Sequence, residues 1–220
     1  MPTRLIFVRH GQTDSNVEGR SQGRRDVPLN DLGRRQGGAL GERLAPMALS
    51  AIVSSPSMRA HDTALAIAGI AGLGVTLDER LGELHQGELD GLIGEEMRAA
   101  HPEFMQRWRD DDPADLRIPG GETLREAQAR MIESVSDAIH THRGGAIAFV
   151  SHNLALRAFY CHAFGVPLAS YRRLRHDVAA LAVIDSNDDG TFFVVNLNER
   201  CHLEDPRTEP LDTAADSVRR

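Results

Sequence analysis

Residues 4–13 read Arg4-Leu5-Ile6-Phe7-Val8-Arg9-His10-Gly11-Gln12-Thr13, an apolar run that passes directly into a cation, an imidazole and a glycine. A continuous β-favouring run of this length describes a strand buried on both faces, as in a parallel α/β sheet. Arg9 and His10 then stand at the strand's carboxyl end, where open α/β sheets hold their ligands. Gly11 lets the backbone turn sharply, and Asn16, Gln22 and Gly23 follow in a polar loop. A neutral imidazole attacks phosphorus well when its other ring nitrogen is fixed by an acceptor, and an adjacent guanidinium forks onto phosphate oxygens. An ordinary polar strand end is the competing reading of these residues, and the rest of the chain must separate the two.

A second junction of the same kind lies far downstream. Ala146-Ile147-Ala148-Phe149-Val150 is apolar and runs into Ser151-His152-Asn153, after which a helix is predicted from Leu154 to Phe164. Two strand–histidine junctions in one parallel sheet would bring His10 and His152 to the same rim.

Between the junctions, Asn30 or Asp31 caps a helix whose apolar stripe is Leu32, Gln36, Leu40 and Leu44. Its glycines at 33, 37, 38 and 41 weaken its propensity, so it must lean on packing; Pro46 ends it. A strand at Ala51-Ile52-Val53 leads to Ser55-Pro56, read as cap and first helical residue, which sets Arg59 on the first helical turn. Residues 74–77 form a short strand. Glu83, between Leu81 and Leu84 and expected to be partly buried, is either a turn residue or a placed general acid; Glu88 and Asp90, in glycine-rich loop, are poorer candidates.

A helix from Ile93 to about Arg109 is kinked or broken at Pro102, and its Met97, Phe104 and Trp108 read as packing residues. Thr123 and Glu126 form a capping box for a helix ending near His142, with Leu124, Met131, Val135, Ala138 and Ile139 inward. Residues 178–184 and 192–195 pair as a closing hairpin through Asn187-Asp188-Asp189-Gly190.

The chain has 220 residues, 41% hydrophobic and 26% charged, enough for one α/β domain, taken as 1–203 with a polar tail at 204–220. A net charge of −7 argues against a nucleic-acid surface, and a phosphate site must therefore concentrate arginine locally. Two cysteines make no disulfide framework, no signal pattern or membrane-length run occurs, and a cytoplasmic protein is expected. No histidine or cysteine spacing fits a zinc pattern, so no metal and no cofactor is expected.

Taken in order, Val8-Arg9-His10-Gly11-Gln12-Thr13, Ser54-Ser55-Pro56 through Arg59-Ala60, Leu81 through Glu83, Pro119-Gly120-Gly121-Glu122 and Val150-Ser151-His152 resemble the histidine phosphatase superfamily, in its phosphoglycerate-mutase-like branch. The resemblance spans most of residues 4–185. It implies a three-layer α/β/α sandwich with a mostly parallel central sheet. It also implies that His10 becomes phosphohistidine, that Arg9, Arg59 and His152 hold the phosphoryl oxygens with Asn16, Gln22, Gly23 and Asn153 assisting, and that Glu83 is the acid and base. Two arginines and an imidazolium then supply without metal the charge neutralisation that phosphoryl transfer needs.

The family commonly has glycine where this chain has Asn153. Hydrolysis of a small phosphorylated metabolite is the leading activity, because family mutases that use a bisphosphorylated cofactor carry a longer insertion after the position of Glu83. The alternatives are a mutase and a non-catalytic phosphate-binding module. Residues 84–118 are expected to cover the site; Arg98, Arg107, Arg109 and Arg117 are read mainly as surface charges. Similar proteins are commonly dimers, so a homodimer is part of the expectation.

Overall fold

The computed structural model describes residues 1–203, so the tail expected at 204–220 lies outside the described residues. In chain order the elements are β1 (Thr3–Arg9), α1 (Asp14–Glu18), α2 (Asp31–Leu44), β2 (Ala51–Ser54), α3 (Met58–Ala71) and β3 (Thr76–Leu77). They continue with α4 (Gly94–Ala100), α5 (Pro102–Asp110), α6 (Leu124–Thr141), β4 (Ala146–Ser151), α7 (Asn153–Ala163), β5 (Leu181–Ser186) and β6 (Phe192–Glu199). The six strands lie in the order β3-β2-β4-β1-β5-β6. β1, β2, β3 and β4 pair in parallel, whereas β5 runs antiparallel to β1 and β6 antiparallel to β5.

Alternation along the strands sends the core two ways. Ile6, Val8, Ile52, Ala148 and Val150 meet Leu40 and Leu44 of α2 and Ala60, Ala64 and Ile67 of α3. Leu5, Phe7, Ile147 and Phe149 meet Met131 and Val135 of α6 and Leu156, Phe159 and Tyr160 of α7. Helices thus cover both faces of a mostly parallel sheet, which is the α/β/α arrangement expected. Phe7 and Phe149 stack across β1 and β4 with centroids 5.2 Å apart.

The glycines of α2 let it approach its neighbours. A Cβ on Gly41 would come within 2.7 Å of Ile70 Cδ1, and one on Gly33 within 2.1 Å of the Gln12 carbonyl oxygen. Gly33 thereby seats the start of α2 directly on the loop that follows His10.

Asn30 caps α2 through Gly33 N, and Thr123 and Glu126 form the capping box of α6. The predicted helix over 93–109 is two helices, because Pro102 takes the first position of α5. The helix carrying Arg59 starts at Met58 with Ser57 as its cap residue, so it begins later than the Ser55-Pro56 pair predicted. α1 was not predicted; its capping box pairs Thr13 with Asn16, a residue read above only as a ligand-binding side chain.

Candidate active site

β1 and β4 are neighbours in register, Arg9 opposite Ser151, and the His10 amide donates to the Ser151 carbonyl at 3.1 Å. The histidine that follows each strand therefore leaves the sheet at the same rim, and the two rings lie 5.2 Å apart, centroid to centroid. His10 Nδ1 lies 2.8 Å from the Gly11 carbonyl oxygen. A carbonyl only accepts, so the proton sits on Nδ1 and Nε2 carries the lone pair. Burial above all, then the charges of Arg59 and Arg9, hold the His10 pKa well below the ordinary imidazole value. The ring is neutral at neutral pH, as a nucleophile must be.

His152 is fully buried, with Nε2 2.9 Å from Ser55 Oγ and 3.2 Å from Ser57 Oγ. Ser55 is thus a partner of the second imidazole, not a helix cap. Burial first, then Arg59, His10, Arg130 and Arg9, depress the His152 pKa. The arginines and the loss of solvent thus oppose charge on both rings. A phosphoryl dianion would reverse that field. His152 Nδ1 and Arg59 Nε are buried and have no hydrogen-bond partner among the described residues. Buried polar nitrogens without a partner are rare.

Arg9 is 3% exposed and donates through NH1 to the His176 carbonyl at 3.0 Å. Arg59 is fully buried; its terminal nitrogens donate to the carbonyls of Arg25 (2.9 Å), Gln22 (3.0 Å) and Gly23 (3.1 Å). Asp90 closes the same loop from the other side by accepting the amides of Gly23, Arg24 and Arg25. The glycine-flanked carboxylate set aside in the sequence is therefore what fixes the loop.

Glu83 follows a short 3-10 turn and is half-buried at the start of α7. Its carboxylate accepts the amides of Leu84 (2.8 Å), Ala155 (3.0 Å) and Leu154 (3.2 Å). Free amides at a helix N-terminus, with the dipole behind them, favour a carboxylate there. Arg130 of α6 holds the backbone of the same segment, donating to the carbonyls of Gly82 (2.6 Å), Arg80 (2.7 Å) and Glu83 (3.0 Å) and pairing with Glu122 at 2.6 Å. Sequence reasoning missed Arg130, because nothing local ties residue 130 to residue 83.

A cavity of about 780 Å³ including its mouth brings together Arg9, His10, Asn16, Gln22, Glu83 and Asn153. Gly23, Glu83 and His152 border a second cavity, which shares Glu83 with the first, and Arg59 lines neither. Part of the first cavity's wall comes from residues 86–118, including Met97, Phe104 and Trp108, so these three line the cavity as well as pack. Arg107, Arg109 and Arg117 pair with Asp111, Asp110 and Glu126 away from it. Arg20, not singled out in the sequence, is on the cavity wall and pairs with Glu18 and Glu96. Among the described residues no cluster of three His, Cys, Asp or Glu is placed to hold a metal, and no helix is long and apolar enough to cross a membrane.

The chain is 32% identical over 200 residues to phosphoserine phosphatase 1 of Hydrogenobacter thermophilus, covering 91% of this chain and 94% of that one. It is 32% identical over 216 residues to a probable phosphoglycerate mutase of Salmonella choleraesuis, covering 94% and 98%. The solved structure of a mycobacterial glucosyl-3-phosphoglycerate phosphatase with VO3 superposes at a TM-score of 0.82 and 30% identity, over 90% of this chain and 99% of that one. The sequence profile of the histidine phosphatase superfamily (branch 1) matches residues 5–200, and with two strands delivering paired imidazoles to one rim, the chain belongs to that superfamily.

Proposed function

We propose that this protein hydrolyses phosphomonoesters of small metabolites through a phosphohistidine at His10. The observation that carries the reading is the His10 ring: neutral by burial, Nδ1 held by the Gly11 carbonyl, and Nε2 left as its nucleophile at the cavity. Nε2 attacks phosphorus, the ester P–O bond breaks, and the leaving oxygen takes a proton from Glu83. Water then attacks the phosphohistidine, Glu83 takes the water's proton, and inorganic phosphate leaves with His10 restored. Arg9, Arg59 and His152 offset the oxygens' charge, His152 gaining its proton as the dianion arrives. Asn16, Gln22, Gly23 and Asn153 border the phosphate in this reading.

The reading takes 1–203 as one catalytic domain, with residues 84–118 forming the wall over the bound ester. It includes a reducing cytoplasm, in which Cys161 and Cys201 are free thiols, and a homodimer that sedimentation would test.

The test traps the protein with 32P-labelled substrate. Acid-labile label on the wild type and none on His10→Ala supports the reading; unchanged turnover by His10→Ala ends it. Glu83→Gln should lose most rate on alkyl phosphates and least on aryl phosphates, whose leaving oxygens need no proton; equal losses would remove Glu83 from the acid role. The mutase named among the relatives keeps a second reading open, and isomerisation of a phosphoglycerate without phosphate release would favour it.

A further inference from the structure

The cavity is lined by two chemically different sets of side chains. Arg9, His10, Asn16, Glu83 and Asn153 are one; Met97, Phe104, Met105, Trp108, Ile118 and Tyr171, which pack in a single hydrophobic cluster, form an apolar wall. Met97, Met105 and Trp108 are 5%, 6% and 5% exposed, so this wall is packed side chain, in one cluster with Leu84 and Leu124. Several polar groups along it are already engaged. Arg20 carries Glu18 and Glu96 and donates to the Gly91 carbonyl. Ser21 Oγ donates to the Leu89 carbonyl, and the Gln22 side-chain oxygen accepts from Thr13. Gln86 contributes one further amide.

We propose that the phosphomonoester taken here has an uncharged, apolar leaving group, aromatic or branched aliphatic, seated against the methionines and rings of this wall. The proposal rests on the hydrolase reading above and narrows its substrate class. A leaving group bearing a carboxylate would find the cations around the wall engaged: Arg20 is paired with two carboxylates, and Arg157 and Arg172 donate to the carbonyls of Tyr171 and Trp108. A polyol would set hydroxyls against thioethers and rings, where lost hydrogen bonds to water go unreplaced. Each buried methylene instead tightens binding about fourfold. Methionine adapts its shape, so the wall accepts a range of apolar outlines.

Trp108 is the one tryptophan in the chain and stands in this wall, so its fluorescence reports occupancy without turnover. Two phosphonates in which CH2 replaces the ester oxygen isolate the tail. 3-Phenylpropylphosphonate carries an apolar one, and 2-amino-4-phosphonobutyrate carries the charged tail of a phosphorylated amino acid. The apolar compound should bind at least tenfold more tightly to the wild type and change Trp108 emission. Phe104→Ser should narrow the ratio to under threefold. Equal or reversed affinities in the wild type, or a Phe104→Ser loss shared equally by both compounds, would overturn the proposal. Failure of the hydrolase reading would show separately, as absence of turnover of p-nitrophenyl phosphate.

Discussion

Acidification should destabilise this protein through His176, a histidine that takes no part in the chemistry. Its Nε2 donates to the Ala180 carbonyl at 3.0 Å and its Nδ1 accepts from the Tyr160 hydroxyl at 2.9 Å, which fixes the neutral tautomer. Burial drives its pKa down to about 4; the Ala180 carbonyl and Asp177 favour the charged ring, while Arg9 and Arg157 oppose it. The unfolded chain takes up the proton near 6.5, so the stabilisation is complete above that value and is lost as pH falls toward about 4. At 1.36 kcal/mol per pH unit the whole effect is about 3 kcal/mol, of which about 2 kcal/mol disappears between pH 7 and pH 5. Urea unfolding of the wild type and His176→Gln at the two pH values measures it. Glutamine keeps a donor for Ala180 but does not titrate, and acid losses from His10 and His152 occur in both proteins and cancel. The wild type should lose about 2 kcal/mol more than the variant on acidification. Parallel losses would refute the assignment of a buried neutral ring. Activity is tied to the same segment, because the His176 carbonyl receives Arg9, and Ala180 and Ala179 bond the backbones of Arg9 and His10.

Arg130→Met should lower kcat on alkyl phosphates by about 10- to 100-fold, with a smaller loss on aryl phosphates and KM within about threefold, since its guanidinium holds the backbone on either side of Glu83. Losses that ignore the leaving group would deny it that part. Gly33→Ala should cost about 1–3 kcal/mol in urea unfolding, because its new methyl group would collide with the Gln12 backbone. Gly38→Ala, with no atom within 4 Å of the added carbon, should instead stabilise by about 0.5–1 kcal/mol. Similar midpoints for the two variants would contradict the packing of α2 described above.

Those parts of the molecule that obey short-range rules were legible in the residues themselves. The apolar runs ending in His10 and His152 fixed two buried parallel strands and, with them, the shared rim. Asn30, Thr123 with Glu126, and Pro102 marked helix ends because a cap or a missing amide acts within one turn. Tertiary structure decided what depended on partners far along the chain. Ser55 reads as a cap beside Pro56, yet it serves His152 because β4 inserts between β2 and β1. Arg130 reads as any helical arginine until α6 packs on the turn before Glu83. Met97 and Trp108 have the spacing of packing residues, and only their tertiary placement beside Arg9 and His10 makes the same side chains bound a cavity. Sequence periodicity specifies which face of an element is apolar; what that face meets is set by long-range contacts, and the site is built from those.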